Sequence, residues 1–88
     1  MRTVVEEQSV SEAVDKARNR YPRLGDVFEG MKWYLARAPE RGEALDDVNW
    51  VYRQDGDADE DVPDILTIYT FDADRVILKY IDFKDAIL

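Results

Sequence analysis

The sequence predicts an α+β domain: a two-helix hairpin packed on a small antiparallel β-sheet, in the order β-α-α-β-β-β. Three observations carry this. Near the C-terminus, the runs 65–71 and 75–83 are dense in β-branched and aromatic residues, which suit a pleated, half-buried surface. Two earlier stretches place apolar residues at helical spacing, with Pro22 between them. The chain has 88 residues, 45% hydrophobic and 36% charged, a composition of one soluble globular domain (1–88) rather than a disordered segment. A chain of this size buries roughly 60–65% of the surface its unfolded form exposes, enough for one core.

Thr3, Val4 and Val5 form a short apolar run that reads as a first strand. Ser9 stands three residues before Glu12, the spacing of a capping box. Val10, Ala13, Val14, Ala17 and Tyr21 then trace one apolar helical stripe, with Asp15, Lys16, Arg18, Asn19 and Arg20 on the other side. Pro22 disfavours helical geometry at Tyr21 and ends the helix there. A second helix begins at Leu24 or Asp26 and runs to Arg37. Leu24, Val27, Phe28, Met31, Leu35 and Ala38 are its buried stripe, widened by Trp33 and Tyr34. Gly25 and Gly30 each lower its propensity by about 1 kcal/mol relative to Ala, and close approach of the two helices is one reason for them. The residues Pro39, Glu40, Arg41 and Gly42 read as a turn, and the short link at Pro22 favours an antiparallel helical hairpin.

A strand over 49–53 sets Trp50 and Tyr52 on one face and Val51 and Arg53 on the other. An acidic connection, 55–64, leads to a hairpin whose strands turn at Asp72, Ala73 and Asp74. Both faces of 65–71 are apolar, so this strand is expected at the centre of the sheet, with Tyr69 buried. In the last strand Arg75 and Lys79 share one parity with Ile77 and Ile81. The helices can cover one face of the sheet; an added segment or a second copy of the chain would have to cover the other.

The net charge of −8 works against direct nucleic-acid binding, which depends on Lys and Arg neutralising phosphates. The densest basic cluster is Lys16, Arg18, Arg20 and Arg23, either a solvated helix face or a contact surface. No apolar run approaches the ~20 residues of a membrane span, and the opening residues lack a signal-peptide core. Without cysteine there is no disulfide and no thiolate metal site. A cytoplasmic, cofactor-free protein is the expectation. Asp55, Asp57, Asp59 and Asp61 alternate as calcium-loop ligands do. However, Glu60 stands where an EF-hand needs glycine and Leu66 where it needs its bidentate glutamate. The plain reading of the stretch is a solvated connection whose charge discourages edge pairing. Neither Asp46 with Asp47 nor Asp82 with Asp85 has a spacing that defines an acid–base pair. Trp50 and Tyr52 are the strongest candidates for a partner surface, because aromatics anchor interfaces.

The element order resembles the RelE/ParE toxin superfamily, as do the turn from Pro39 to Gly42 and the pattern Ile68-Tyr69-Thr70-Phe71-Asp72 leading into Val76-Ile77-Leu78. Trp33, Leu35, Ala36, Leu45, Pro63, Leu66, Ile68, Tyr69 and Val76 carry the likeness across nearly the whole chain. The resemblance implies a toxin of a toxin–antitoxin pair, neutralised by an antitoxin peptide laid over the domain. One branch of the family cleaves mRNA on the ribosome and another poisons DNA gyrase. The nucleases carry an Arg near the position held here by Leu66, and they are usually basic. With no His in the chain, a nuclease would have to draw its general base and phosphate-stabilising groups from Arg53, Arg75, Lys79, Tyr80 and Lys84. The expectation is therefore a protein-binding family member, with an antitoxin-like partner and a gyrase-type target as one option, or a catalytically silent relative. An mRNA endonuclease and a small acidic inhibitor mimicking nucleic acid are the alternatives. A homodimer is compatible with all of them.

Overall fold

The two C-terminal runs are the middle of the sheet. The computed structural model describes residues 1–87. Its elements are β1 (Thr3–Glu6), α1 (Gln8–Ala17), α2 (Leu24–Arg37), β2 (Glu43–Ala44), β3 (Trp50–Gln54), β4 (Asp64–Phe71) and β5 (Arg75–Lys84). Short 3-10 turns lie at Pro39–Arg41 and Ala58–Glu60. The strands order as β1-β5-β4-β3-β2. The α+β architecture follows the predicted order, with two differences: the two-residue strand β2 is added at the sheet edge, and β1 runs parallel to β5, so the sheet is mixed. A strand followed by a helical hairpin re-enters the sheet from the far side, and that long crossover permits parallel pairing.

Alternation decides which side chains meet the helices. Along β4, Ile65, Thr67 and Tyr69 are buried beneath them, while Leu66, Ile68 and Thr70 are half-buried on the opposite face. From α1 come Val10 and Val14, and from α2 Leu24, Phe28, Met31 and Leu35; these close on Ile65, Tyr69, Val76, Leu78 and Ile81 as one core. Each such side chain contributes about 1.5–3 kcal/mol on burial.

A bulge interrupts β5. Tyr69 faces Leu78 and Ile68 faces Tyr80, leaving Lys79 as the extra residue. Thr67 Oγ1 donates to the Tyr80 carbonyl at 2.8 Å and holds the irregularity in place. The bulge also overturns the shared parity expected for Ile77 and Ile81. Ile77 stays on the face away from the helices, whereas Ile81 turns into the core.

Other local expectations are corrected. The N-cap of α1 is Glu7, not Ser9, and no side chain caps it. The Glu7 N–H bonds the Leu78 carbonyl, so the chain passes from sheet to helix without room for a capping box. The helix stops at Ala17, four positions before Tyr21, where the Arg20 and Tyr21 amides both reach the Ala17 carbonyl in a tightened last turn. Trp33 does not widen the buried stripe. It lies two residues from both Met31 and Leu35, on the opposite side of the helix, and is 60% exposed. Ala36 is buried, while Ala38 is only partly covered. β2 is too short for any period to show in the sequence.

Candidate functional site

Among the described residues no helix packs on the second face of the sheet. The centre of this face is apolar: Val5 of β1, Ile77 and Tyr80 of β5, and Leu66 and Ile68 of β4, with Val51 of β3 on the same face but buried. Val5 and Tyr80 are 39% and 50% exposed. Around this centre the same alternation gathers Arg53, Arg75, Lys79 and Lys84. All five residues singled out as a possible catalytic set therefore share one face. The bulge contributes by keeping Lys79 and Tyr80 together on it, the local re-aiming that bulges provide. Lys79 Nζ reaches Asn49 Oδ1 at 3.4 Å, and Arg53 stands 3.9 Å from Glu43.

Arg53 and Lys84 line one cleft of about 350 Å³ with Leu66, Asp55, Asp64 and Asp82. Asp64 accepts the Gly56 N–H at 2.7 Å and is committed to the backbone, which leaves Asp82 as the nearer candidate base. Arg53 and Lys84 can each hold a phosphate or carboxylate oxygen, against the charge of the three carboxylates that share the lining. Arg75 and Lys79 lie outside this cleft, toward the other end of the face.

Trp50 and Tyr52 occupy a different place from the one their composition suggests. Both pack on the helix side: Trp50 against Phe71 with ring centroids 5.2 Å apart, Tyr52 against Tyr34 at 5.6 Å. Burial, with Tyr34 adding to it, raises the Tyr52 phenol above its ordinary pKa. Parity in the sequence assigned these aromatics to one face but could not say that the helices would cover it.

The basic cluster is largely engaged within the chain. Arg20 and the Tyr21 hydroxyl both bond Asp85, Arg23 pairs with Glu60, and Arg18 lies 3.8 Å from Asp15. These cations tie the C-terminal segment and the acidic connection to the helical hairpin; Lys16 is exposed. In the connection, Asp57 Oδ1 accepts the Asp59 N–H at 3.0 Å, and Asp57 bridges to Val62. Asp55, Asp57, Asp59 and Asp61 do not converge: among the described residues no three His, Cys, Asp or Glu side chains stand where one ion could be held. Nor is any described helix long and apolar enough to cross a membrane.

Sequence reasoning missed a second concavity. A groove of about 530 Å³ runs between α2 and the outer edge of β1, lined by Met1, Arg2, Val4, Glu29, Gly30, Lys32, Trp33, Ala36 and Arg37. The signal was present in Trp33, an aromatic out of phase with the buried stripe of its helix. The Arg37 guanidinium stacks over its ring at 3.7 Å.

Comparison of the chain with protein-family models, with curated proteins and with solved structures returned no match in any of the three.

Proposed function

We propose that this chain is a RelE/ParE-like protein that acts by binding another protein across the open face of its sheet. One observation carries the reading: a partly exposed apolar centre of Val5, Leu66, Ile68, Ile77 and Tyr80 over which no helix of the described residues packs, with four cations around it in a protein of net charge −8. The occupant that fits is an antitoxin-type segment, with apolar side chains for the centre and carboxylates for Arg53, Arg75, Lys79 and Lys84. The strand and helix order, with the helical hairpin packed on one face of the sheet, supports the family reading. Leu66, where the family's nucleases carry Arg, favours binding over cleavage.

Induced expression in a bacterial host tests this. Growth arrest is expected, with relief when a small acidic partner protein is co-expressed. Ile68→Asp, which places a charge in the apolar centre, is expected to abolish both the arrest and partner capture while the protein still folds. Normal growth under strong induction of soluble wild-type protein counts against the reading.

The cleft shared by Arg53 and Lys84 favours one second reading, an mRNA endonuclease in which these cations stabilise the phosphorane and Asp82 takes the proton. Purified protein added to translating ribosomes would then cut mRNA, and Arg53→Ala with Lys84→Ala would stop it. Intact mRNA with wild-type protein removes this reading.

A further inference from the structure

The groove between α2 and β1 holds three features that the fold itself does not require. First, β1 is an edge strand. The Thr3 and Glu7 amides bond Asp74 and Leu78 on the β5 side, so Val4 and Glu6 aim their N–H and C=O groups outward. Among the described residues neither of these two amides finds an acceptor in the chain. Second, Gly30 sits in the interior of α2, where glycine is unfavourable, and a Cβ built there meets nothing within 4 Å. No neighbour in this chain demands its smallness. Third, Trp33 is exposed beside it with Arg37 stacked on its ring, a rigid amphipathic surface of the kind that anchors interfaces.

We propose that this groove is a self-complementary dimer interface, in which β1 pairs antiparallel with β1 of a second copy to make a continuous ten-stranded sheet. Charge selects both the occupant and the register. With Val4 opposite its own counterpart, Arg2 of each copy lies directly across from Glu6 of the other, opposite charges on the helix side. The same register gives the Val4 and Glu6 amides acceptors in the Val4 and Arg2 carbonyls, while the Arg2 amide keeps its own bond to the Ala36 carbonyl. The groove carries both signs, Arg2, Lys32 and Arg37 against Glu29, with Glu6 beside it held by Lys32 and Ser11. An isologous contact needs such a mixture, because each patch must meet itself.

The geometry accounts for Gly30. A two-fold axis relating antiparallel edge strands stands perpendicular to the sheet, so both helical layers fall on the same side. Strands are spaced about 4.8 Å apart, which puts the axis about 2.4 Å beyond β1. α2 packs over β1 and β5. Taken over the gap between those strands, α2 and its copy lie about 10 Å apart, a distance at which helices pack. Gly30 and Trp33 then face the partner helix, where a missing Cβ permits close approach. The proposal is independent of what occupies the open sheet face.

Sedimentation of the full chain tests it. At about 200 µM protein the wild type is expected to be dimeric with Kd in the micromolar range. The dimer should tighten as salt is raised to about 0.3 M, because two chains of like net charge repel less when screened. Gly30→Glu meets open space in the single chain and replaces a poor helix former, so its thermal midpoint at low concentration is at or above the wild-type value while the dimer is lost. Val4→Pro removes one outward amide and is expected to lose the dimer too, with some loss of monomer stability because Val4 packs on the core. Arg2→Glu and Glu6→Arg each weaken association about tenfold, and combining them restores it. A wild type that stays monomeric overturns the proposal. So does a dimer indifferent to both Gly30→Glu and Val4→Pro, or one whose double charge swap is no better than the single changes.

Discussion

Replacing Tyr69 with Phe removes one oxygen from a sealed site. The side chain is fully buried, and its hydroxyl donates to the Pro39 carbonyl at 2.5 Å, joining the centre of the sheet to the turn that follows α2. Burial, opposed by the Gly42 amide, pushes the phenol up to about 12. In the Phe variant the Pro39 carbonyl is left unpaired, at a cost of about 1.5 kcal/mol. In a domain of this size that lowers Tm by about 6–12 °C. Tyr69→Ala, which also empties the ring site, costs about 3–5 kcal/mol.

The pH dependence separates the hydroxyl from the ring. The folded-state pKa is raised above an unfolded value of about 10, so the contribution is present in full below pH ~10 and is lost as pH rises through ~12. By pH 11 the wild type gives up about 1.4 kcal/mol that the Phe variant never had, and the two nearly converge. Urea melts of both proteins at pH 8 and pH 11 measure the gap. A gap of the same size at both values, or a loss at pH 8 below about 0.5 kcal/mol, the size of an ordinary surface substitution, would refute the reasoning.

Gly42→Ala drives a methyl group into the Tyr69 hydroxyl and the Val51 carbonyl oxygen. A loss of about 1–3 kcal/mol is expected, and the loss should shrink in the Tyr69→Phe background when a double-mutant cycle is run. Thr67→Val removes the hydroxyl bond to the Tyr80 carbonyl at the bulge; it should cost about 0.5–1.5 kcal/mol in denaturant melts and speed amide exchange around Lys79. Asp46 accepts the Val48 and Asn49 amides and the Asn49 side chain, and these bonds hold its carboxyl below the ordinary range. The stability it lends is therefore present above the unfolded pKa and lost as pH falls through the folded one. NMR titration should find its midpoint below that of a free aspartate, and Asp46→Ala should flatten the acid limb of the stability curve.

Much of the architecture was legible because alternation and helical spacing are local. The runs at 65–71 and 75–83 declared a central hairpin through apolar residues on both faces. The spacing from Val10 to Ala17 and from Leu24 to Leu35 declared two helices. Tyr69 could be expected in the core on the same grounds. The five candidate residues Arg53, Arg75, Lys79, Tyr80 and Lys84 could be named as the available chemistry, although their convergence on one face depends on strand register.

By itself, then, the sequence determined the two helices, the four longer strands, their order and most of the buried residues, since each of these follows from patterns a few residues long. Only the tertiary structure decided which face of the sheet the helices cover, and with it the packing of Trp50 and Tyr52 against the core and the placing of Leu66 and Ile68 on the opposite face. It also decided the parallel placement of β1, the bulge that separates Ile77 from Ile81, and the groove around Trp33. Each of these is set by contacts between residues far apart in the chain, and no local period records them.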